Sequence, residues 1–131
     1  MKREIKFRGK SLIDGRWIFG DLFRTDLEGG VSIQYYDEVD GWMTEEVNPE
    51  TIGQFTSLFD RNKKEIYEGD ILRINDDEKG VIEVRFVRGV FAFLWNGNLD
   101  EEMPINAPTH EWAEVIGNIH DNPELIKEVA I

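Results

Sequence analysis

The sequence of 131 residues contains no cysteine and only two histidines. Disulfide bonds and thiolate metal sites are therefore excluded, and two histidines are too few for the usual zinc ligand sets. Hydrophobic residues make up 40% of the chain, which is typical of a globular protein. A chain of this length buries enough surface to fold without a metal or a disulfide. We expect a folded protein with no metal site and no cofactor.

Long apolar runs are also missing from the sequence. The longest stretch without a charged residue runs from Gly89 to Leu99, whereas a membrane-spanning helix needs about 20 apolar residues. Charged residues recur through the first ten positions, so the apolar core of a signal peptide is not predicted. We expect a cytoplasmic protein that does not enter a membrane.

Basic residues are scarce, with 15 Lys and Arg against 27 Asp and Glu, and the net charge is −12. Such a chain is repelled by phosphate backbones. The basic residues are nevertheless concentrated in residues 1–24, which carry seven of them against three acids. Two interpretations stay open. The basic strands pair with acidic neighbours, or they form a basic patch that meets an anionic partner.

Motifs that carry chemistry are absent. His110-Glu111 begins like a zinc-protease motif, but Glu114 stands where the second histidine is required. The chain has no Gly-x-Ser-x-Gly elbow and no glycine-rich phosphate loop. The carboxylate clusters at 76–78 and 100–102 are consecutive residues, which seldom converge on one ion and indicate solvated loops. We predict no catalytic residues and a protein that is not an enzyme.

Alternation of apolar and polar residues predicts a mainly β protein. In the first half, Ile5 and Phe7 alternate with charged residues, and strands are predicted over Arg16–Arg24 and Val31–Tyr36. Gly20 interrupts the strand Arg16–Arg24 and predicts a bulge or a close backbone approach. In the second half, strands are predicted at Thr51–Phe55, Asp70–Ile74, Val81–Val87, Val90–Trp95 and Ala113–Ile119.

Residues 37–50 have a different composition, rich in acids and ended by Asn48-Pro49. We predict an acidic loop over 37–50 that joins an N-terminal antiparallel β region, residues 1–50, to a C-terminal β-barrel, residues 51–131, in one compact unit. One short C-terminal helix is predicted from Pro123 to Val129, because Asn122 is a good N-cap and Pro123 suits the first helical position.

The C-terminal half has the pattern of a small SH3-like barrel. Five short strands joined by tight turns suit a sheet with closed edges. In this interpretation Gly69 turns the chain and Asp70 ties the turn, while Arg88-Gly89 joins two strands of a hairpin.

Three segments of the sequence stand out: IKFR at 5–8, TIGQFTSLFDRNKKEIYEGDI at 51–71 and EVIGNIHDNPEL at 114–125. In order and spacing they resemble the YopX family of phage and prophage proteins. The resemblance implies a phage or prophage origin in bacteria and an SH3-like barrel in the C-terminal half, but it implies no activity. Ser57 and Lys63 stand where the family usually has glycine, which matters because glycine adopts positive φ without strain.

The aromatic residues give the candidate site. Seven fall at strand spacing and are expected in the core: Trp17, Phe19, Phe23, Phe86, Phe91, Phe93 and Trp95. Trp42 instead lies in the acidic loop, where it folds back onto the body or anchors a partner. Met43, Tyr35 and Tyr36 extend the same candidate partner-binding surface.

Two functions are therefore predicted from sequence. The first is a non-enzymatic protein-interaction module, whose partner is the chain itself or a host protein. Self-association through an edge strand is compatible with this hypothesis. The alternative is a nucleic-acid-binding accessory module that uses the basic N-terminal strands for phosphate contacts.

Overall fold

The computed structural model describes residues 3–24, 30–74, 80–103 and 108–127, with the backbone alone at 103 and 127. It is mainly β, as predicted. The strands are β1 Phe7–Lys10, β2 Trp17–Arg24, β3 Val31–Asp37, β4 Gly41–Val47, β5 Gly53–Phe59, β6 Glu65–Tyr67, β7 Asp70–Ile74, β8 Ile82–Val87, β9 Val90–Trp95, β10 Glu102–Met103 and β11 Ala113–Asn118. A 3-10 turn spans Pro49–Thr51, and the two short helices are α1 Thr109–Trp112 and α2 Glu124–Lys127.

The chain divides into two compact units, Met1–Phe55 and Thr56–Ile131. The division falls inside β5, a few residues after the boundary placed at residue 50 from the sequence. Each unit has its own apolar core of buried residues. Each is therefore described by itself.

The first unit is an antiparallel ribbon in which β1, β2, β3 and β4 pair in chain order. The ribbon curls back on itself, because Ser11 forms a bridge with Val47 and the Asn48 amide donates to the Lys10 carbonyl at 2.8 Å. The core inside this ribbon consists of Ile18, Ile33 and Val47, with Val31, Tyr35 and Ile52 packed against it.

Strand β2 changes partners at Gly20. Residues Trp17–Gly20 pair with β1, and the following residues, Asp21–Arg24, pair with β3. A Cβ atom added at Gly20 would overlap the carbonyl oxygen of Gln34 and lie 3.1 Å from its carbonyl carbon. The predicted close backbone approach is confirmed.

The second unit contains a five-stranded antiparallel sheet in the order β10-β9-β8-β7-β11. Four strands follow one another as a meander, and β11 returns after the single turn of α1 to pair with β7. This is the strand order of SH3-like barrels, as predicted. Its core is made of Ile66, Leu72, Ile82, Val84, Phe93 and Ala113.

Two turns of the second unit have the predicted chemistry. Gly69 has a φ of 95°, and the buried carboxylate of Asp70 accepts a 2.7 Å hydrogen bond from the Tyr67 amide. The β8–β9 hairpin closes through Arg88 and Gly89, whose φ values are 50° and 83°. Two successive positive φ values define the type I′ turn that two-residue hairpins favour.

The structure differs from the sequence analysis at three points. Residues 37–50 are not a loop, because Gly41–Val47 form β4. The helix α1 was not predicted. Phe19, Phe23 and Phe86 lie outside the core, with exposed fractions of 44%, 50% and 50%. In β2 the core-facing side chain is Ile18, so Phe19 and Phe23 point to the opposite face. In β8, Phe86 shares a face with the core residues Ile82 and Val84 but lies beyond them along the strand.

The described part of the predicted C-terminal helix forms α2, Glu124–Lys127, and positions 128 and 129 of that prediction lie outside the described residues. The Asn122 side chain accepts a hydrogen bond from the Asn118 amide at 3.2 Å. The Leu125 amide bonds to the Asn122 backbone carbonyl at 3.1 Å. The Asn122 side chain therefore stabilises the turn that precedes the helix.

Replacing Ser57 or Lys63 with glycine should stabilise the protein by about 1 kcal/mol each, because their φ values are 72° and 66° and a left-handed backbone strains a residue that has a Cβ. The Ser57 hydroxyl is also buried and has no hydrogen-bond partner among the described residues. Urea denaturation measures the gain. Ser57→Ala removes the hydroxyl but keeps the Cβ, so an equal gain from alanine would contradict the backbone argument.

Candidate partner-binding surface

The β3–β4 hairpin is shaped by its turn. The Asp37 carboxylate accepts hydrogen bonds from the amides of Asp40, at 3.0 Å, and Val39, at 2.7 Å, and Gly41 has a φ of 78°. The two amides lower the pKa of Asp37 below its ordinary value, since they stabilise the charged carboxylate. The turn therefore carries a negative charge at neutral pH.

The hairpin register places the four predicted site residues on two different faces. Tyr36 pairs with Trp42, and Tyr35 pairs with Met43. Because side chains alternate along a strand, the first pair and the second pair point in opposite directions. Tyr35 packs against the core of the first unit. The structure thus brings Tyr36 and Trp42 together and separates them from the other two residues.

Tyr36 and Trp42 form an exposed aromatic pair. Their exposed fractions are 62% and 66%, and their ring centroids lie 5.3 Å apart in an edge-to-face arrangement. Trp42 is therefore not a core residue, which removes the packing alternative. A large aromatic pair exposed to solvent is the kind of feature that marks an interaction surface.

Along the hairpin, acidic residues lie on both sides of the aromatic pair, with Glu38 and Asp40 in the turn and Glu46 further along β4. Glu38, Asp40 and Glu46 are exposed, and within the described ranges they form no ion pair. Val39 is 90% exposed at the turn. The sequence contains no lysine or arginine between Arg24 and Arg61. We call this surface the hairpin patch, defined by Tyr36, Glu38, Val39, Asp40, Trp42 and Glu46.

The opposite side of the hairpin is held by Arg16, which sequence reasoning missed. Its guanidinium lies 2.7 Å from Asp14 and 3.0 Å from Glu45, and also 3.4 Å from the Tyr35 hydroxyl. The hydrogen bonds that Arg16 donates to the carboxylates of Asp14 and then Glu45 raise the pKa of Arg16 above its ordinary value. Arg16 therefore joins the turn at Asp14 to Tyr35 of β3 and Glu45 of β4.

A surface depression of about 340 Å³ lies beside Arg16 in the first unit. Its lining combines three aromatic rings with two charged groups and one aliphatic side chain: Arg16, Trp17, Ile18, Phe19, Tyr35 and Asp37. Arg16 is already bound by carboxylates, and Asp37 is already bound by its own turn. The depression offers no converging set of free reactive groups.

Three basic residues in and just before β1 lie over aromatic rings of the first unit. Arg8 lies 4.6 Å and Lys10 5.5 Å from the centre of the Trp17 ring, and Lys6 lies 5.6 Å from that of Phe55. Arg8 is only 7% exposed. This row of cations therefore contacts the chain's own rings, and its central member is shielded from any anionic partner.

The buried carboxylates of the second unit have structural partners. Asp60, 2% exposed, accepts hydrogen bonds from the amides of Asn62 and Lys64 at 2.8 Å and of Val115 at 3.0 Å. Glu83 forms two hydrogen bonds with Arg85, at 2.7 and 2.8 Å. Among the described residues, no group of three His, Asp or Glu is placed to hold a metal ion.

The two units define a small, antiparallel all-β protein with an SH3-like second unit and an exposed aromatic hairpin in the first. Residues 6–127 match the family described as YopX protein. The chain belongs to the YopX family.

A solved structure has the same fold. The crystal structure of protein EF1440 from Enterococcus faecalis is 22% identical in sequence, and the match covers 95% of this chain and 99% of that one with a TM-score of 0.56. At this identity the likeness concerns the fold alone. No curated protein matches the chain. In the described part of the chain, no helix has the length and apolar character needed to cross a membrane.

Proposed function

We propose that this YopX protein is a non-enzymatic protein-interaction module, of phage or prophage origin, that acts in the bacterial cytoplasm. The observation that carries the proposal is the Tyr36–Trp42 pair, exposed on the outer face of a hairpin whose turn is fixed by hydrogen bonds. Tryptophan and tyrosine are the residues most enriched among those that dominate binding energy at protein interfaces.

The hairpin also gives the pair a defined position. Strands β3 and β4 are joined by seven register pairs, from Val31 opposite Val47 to Asp37 opposite Gly41. The two rings are therefore held on a regular strand pair. Side chains held on paired strands lose less freedom on binding than side chains on a mobile loop. The exposed aromatic pair is therefore a preorganised contact surface.

The alternative, nucleic-acid binding through the basic strands, has weaker support. Arg8 is buried, and Lys6, Arg8 and Lys10 lie over the rings of Phe55 and Trp17. The overall charge of −12 repels phosphate. Salt-dependent binding of a DNA oligonucleotide that is lost in Lys10→Ala would favour this alternative instead.

Replacing Trp42 with alanine should leave the unfolding temperature within about 2 °C of the parent, because an exposed side chain contributes little to stability. The same change should abolish capture of the protein's partner, since truncation of a central aromatic residue typically costs about 2 kcal/mol or more of binding energy. Thermal unfolding by circular dichroism measures the first effect. Affinity capture from bacteria that carry the gene, followed by binding of the purified partner, measures the second.

Phe86→Ala is the matched control for this experiment. Phe86 is 50% exposed and forms an edge-to-face pair with Phe91 across the β8–β9 hairpin of the second unit. It therefore repeats the loss of an exposed aromatic side chain at a different surface. Equal loss of the partner in both variants, or full retention in Trp42→Ala, would overturn the proposal.

A further inference from the structure

We infer that the partner of the hairpin patch is a basic protein segment, rich in arginine or lysine, which docks across Tyr36 and Trp42. This inference rests on the proposed function and specifies the chemistry of its partner. It is carried by two features of the same hairpin, an exposed aromatic pair and a set of acidic side chains that form no ion pair with any described residue.

The charge around the patch favours a cationic partner. Glu38, Asp40 and Glu46 are exposed and form no ion pair within the ranges that the structure describes. No basic residue occurs between Arg24 and Arg61. The patch is therefore a region of one sign, which attracts an oppositely charged segment and accelerates its encounter.

The aromatic pair suits the same partner. In an edge-to-face pair, the ring that presents its edge keeps both of its own faces open to other groups. Cations bind to the faces of aromatic rings, and tryptophan is the best of these rings. The first unit already contains this interaction, since Arg8 lies 4.6 Å from the centre of the Trp17 ring. The hairpin patch can make the same contact with a partner's arginine.

The same charges argue against the other occupants. Nucleic acid and anionic membrane surfaces would be repelled by the acids of the patch. A second copy related by two-fold symmetry would place the same patch on both sides of the interface. Glu38, Asp40 and Glu46 would then face an identical set of acids, which is unfavourable.

The inference is tested with a fluorescein-labelled octapeptide of alternating arginine and glycine, measured by fluorescence anisotropy against the full chain. We expect saturable binding that weakens as salt is raised, because exposed charges are screened. An octapeptide of alternating glutamate and glycine should not bind. Trp42→Ala should weaken binding of the arginine peptide about tenfold or more.

The charge contribution is tested with a matched pair of triple variants. Glu38→Gln, Asp40→Asn and Glu46→Gln together remove three charges from the patch, and should weaken binding about tenfold. Asp100→Asn, Glu101→Gln and Glu111→Gln remove the same number of exposed acids from the second unit, and should leave the affinity within about twofold. Equal weakening by both triple variants would show attraction to the net charge alone and would overturn the inference.

The outcomes separate this inference from the proposed function. If the peptide does not bind but Trp42→Ala still loses its cellular partner, the interaction surface stands and the basic partner is wrong. If the parent is a dimer by light scattering and Trp42→Ala is a monomer, the patch binds a second copy, and the inference is also overturned. If Trp42→Ala keeps its partner and binds the peptide normally, both proposals fail.

Discussion

Replacing Asp60 with alanine should lower the free energy of unfolding by about 4 kcal/mol. The buried carboxylate accepts three backbone hydrogen bonds, and its removal would leave three partly buried amides without these acceptors. Hydrogen bonds to charged groups are worth about 1.5–3 kcal/mol each, and an orphaned buried donor costs about 1–3 kcal/mol. Urea denaturation followed by circular dichroism measures the loss.

Asp60→Asn separates the contribution of the hydrogen bonds in the β5–β6 turn from that of the hydrogen bond to β11. The Oδ1 atom accepts from Asn62 and Lys64 in the β5–β6 turn, whereas Oδ2 accepts from Val115 in β11. Asparagine can keep the first two bonds, but its NH₂ group cannot accept from Val115. We expect about half the loss of the alanine variant, with faster hydrogen exchange at the Val115 amide. A loss from Asp60→Ala no larger than that from the exposed Asp100→Ala would contradict the structural role of the carboxylate.

Replacing Gly20 with alanine should destabilise the first unit by about 3 kcal/mol or prevent its folding. The new Cβ would overlap the Gln34 carbonyl oxygen and approach the Ile33 side chain to 3.2 Å. Backbone atoms cannot rotate away as a side chain can, so β2 or β3 would have to move and disturb the pairing that begins at Asp21. Overpacking of this kind costs about 1–3 kcal/mol, and more where the neighbour is rigid.

Gly15→Ala is the control for the Gly20 variant, with unfolding by urea as the measurement. Gly15 has a φ of 75° and nothing within 4 Å of an added Cβ, so its replacement tests backbone conformation without a clash. We expect a cost of about 1 kcal/mol there. A Gly20→Ala variant as stable as Gly15→Ala would show that the strands separate easily at this point.

The sequence was most informative where apolar alternation is bounded by turns. The predicted bounds of β7 and β9 agree with the structure. Strand β4 was missed because its inward-facing residues are not consistently apolar, so the strand lacks the usual alternation of apolar and polar residues. Glu45 points to the same side as Val47, where it forms an ion pair with Arg16. An ion pair with a residue 29 positions earlier in the chain leaves no mark in the local sequence pattern.

The candidate site was predicted in part for a related reason. Treating 37–50 as a loop identified Trp42 as unusual but removed the alternation that assigns faces, so Tyr35 and Met43 were grouped with residues that point the other way. Asp60 was missed altogether. Its third hydrogen-bond donor, Val115, is 55 positions away along the chain. A local sequence pattern cannot predict such a contact.

Strand β7 depends on a neighbour that is synthesised much later. Its two partners are β8, which follows closely, and β11, whose Ala113 pairs with Ile74. Until β11 has emerged from the ribosome, one edge of β7 has unpaired backbone N–H and C=O groups. Such an edge can pair with another extended chain, which is how aggregation begins. A nonsense codon placed before Ala113 would make that transient vulnerability permanent.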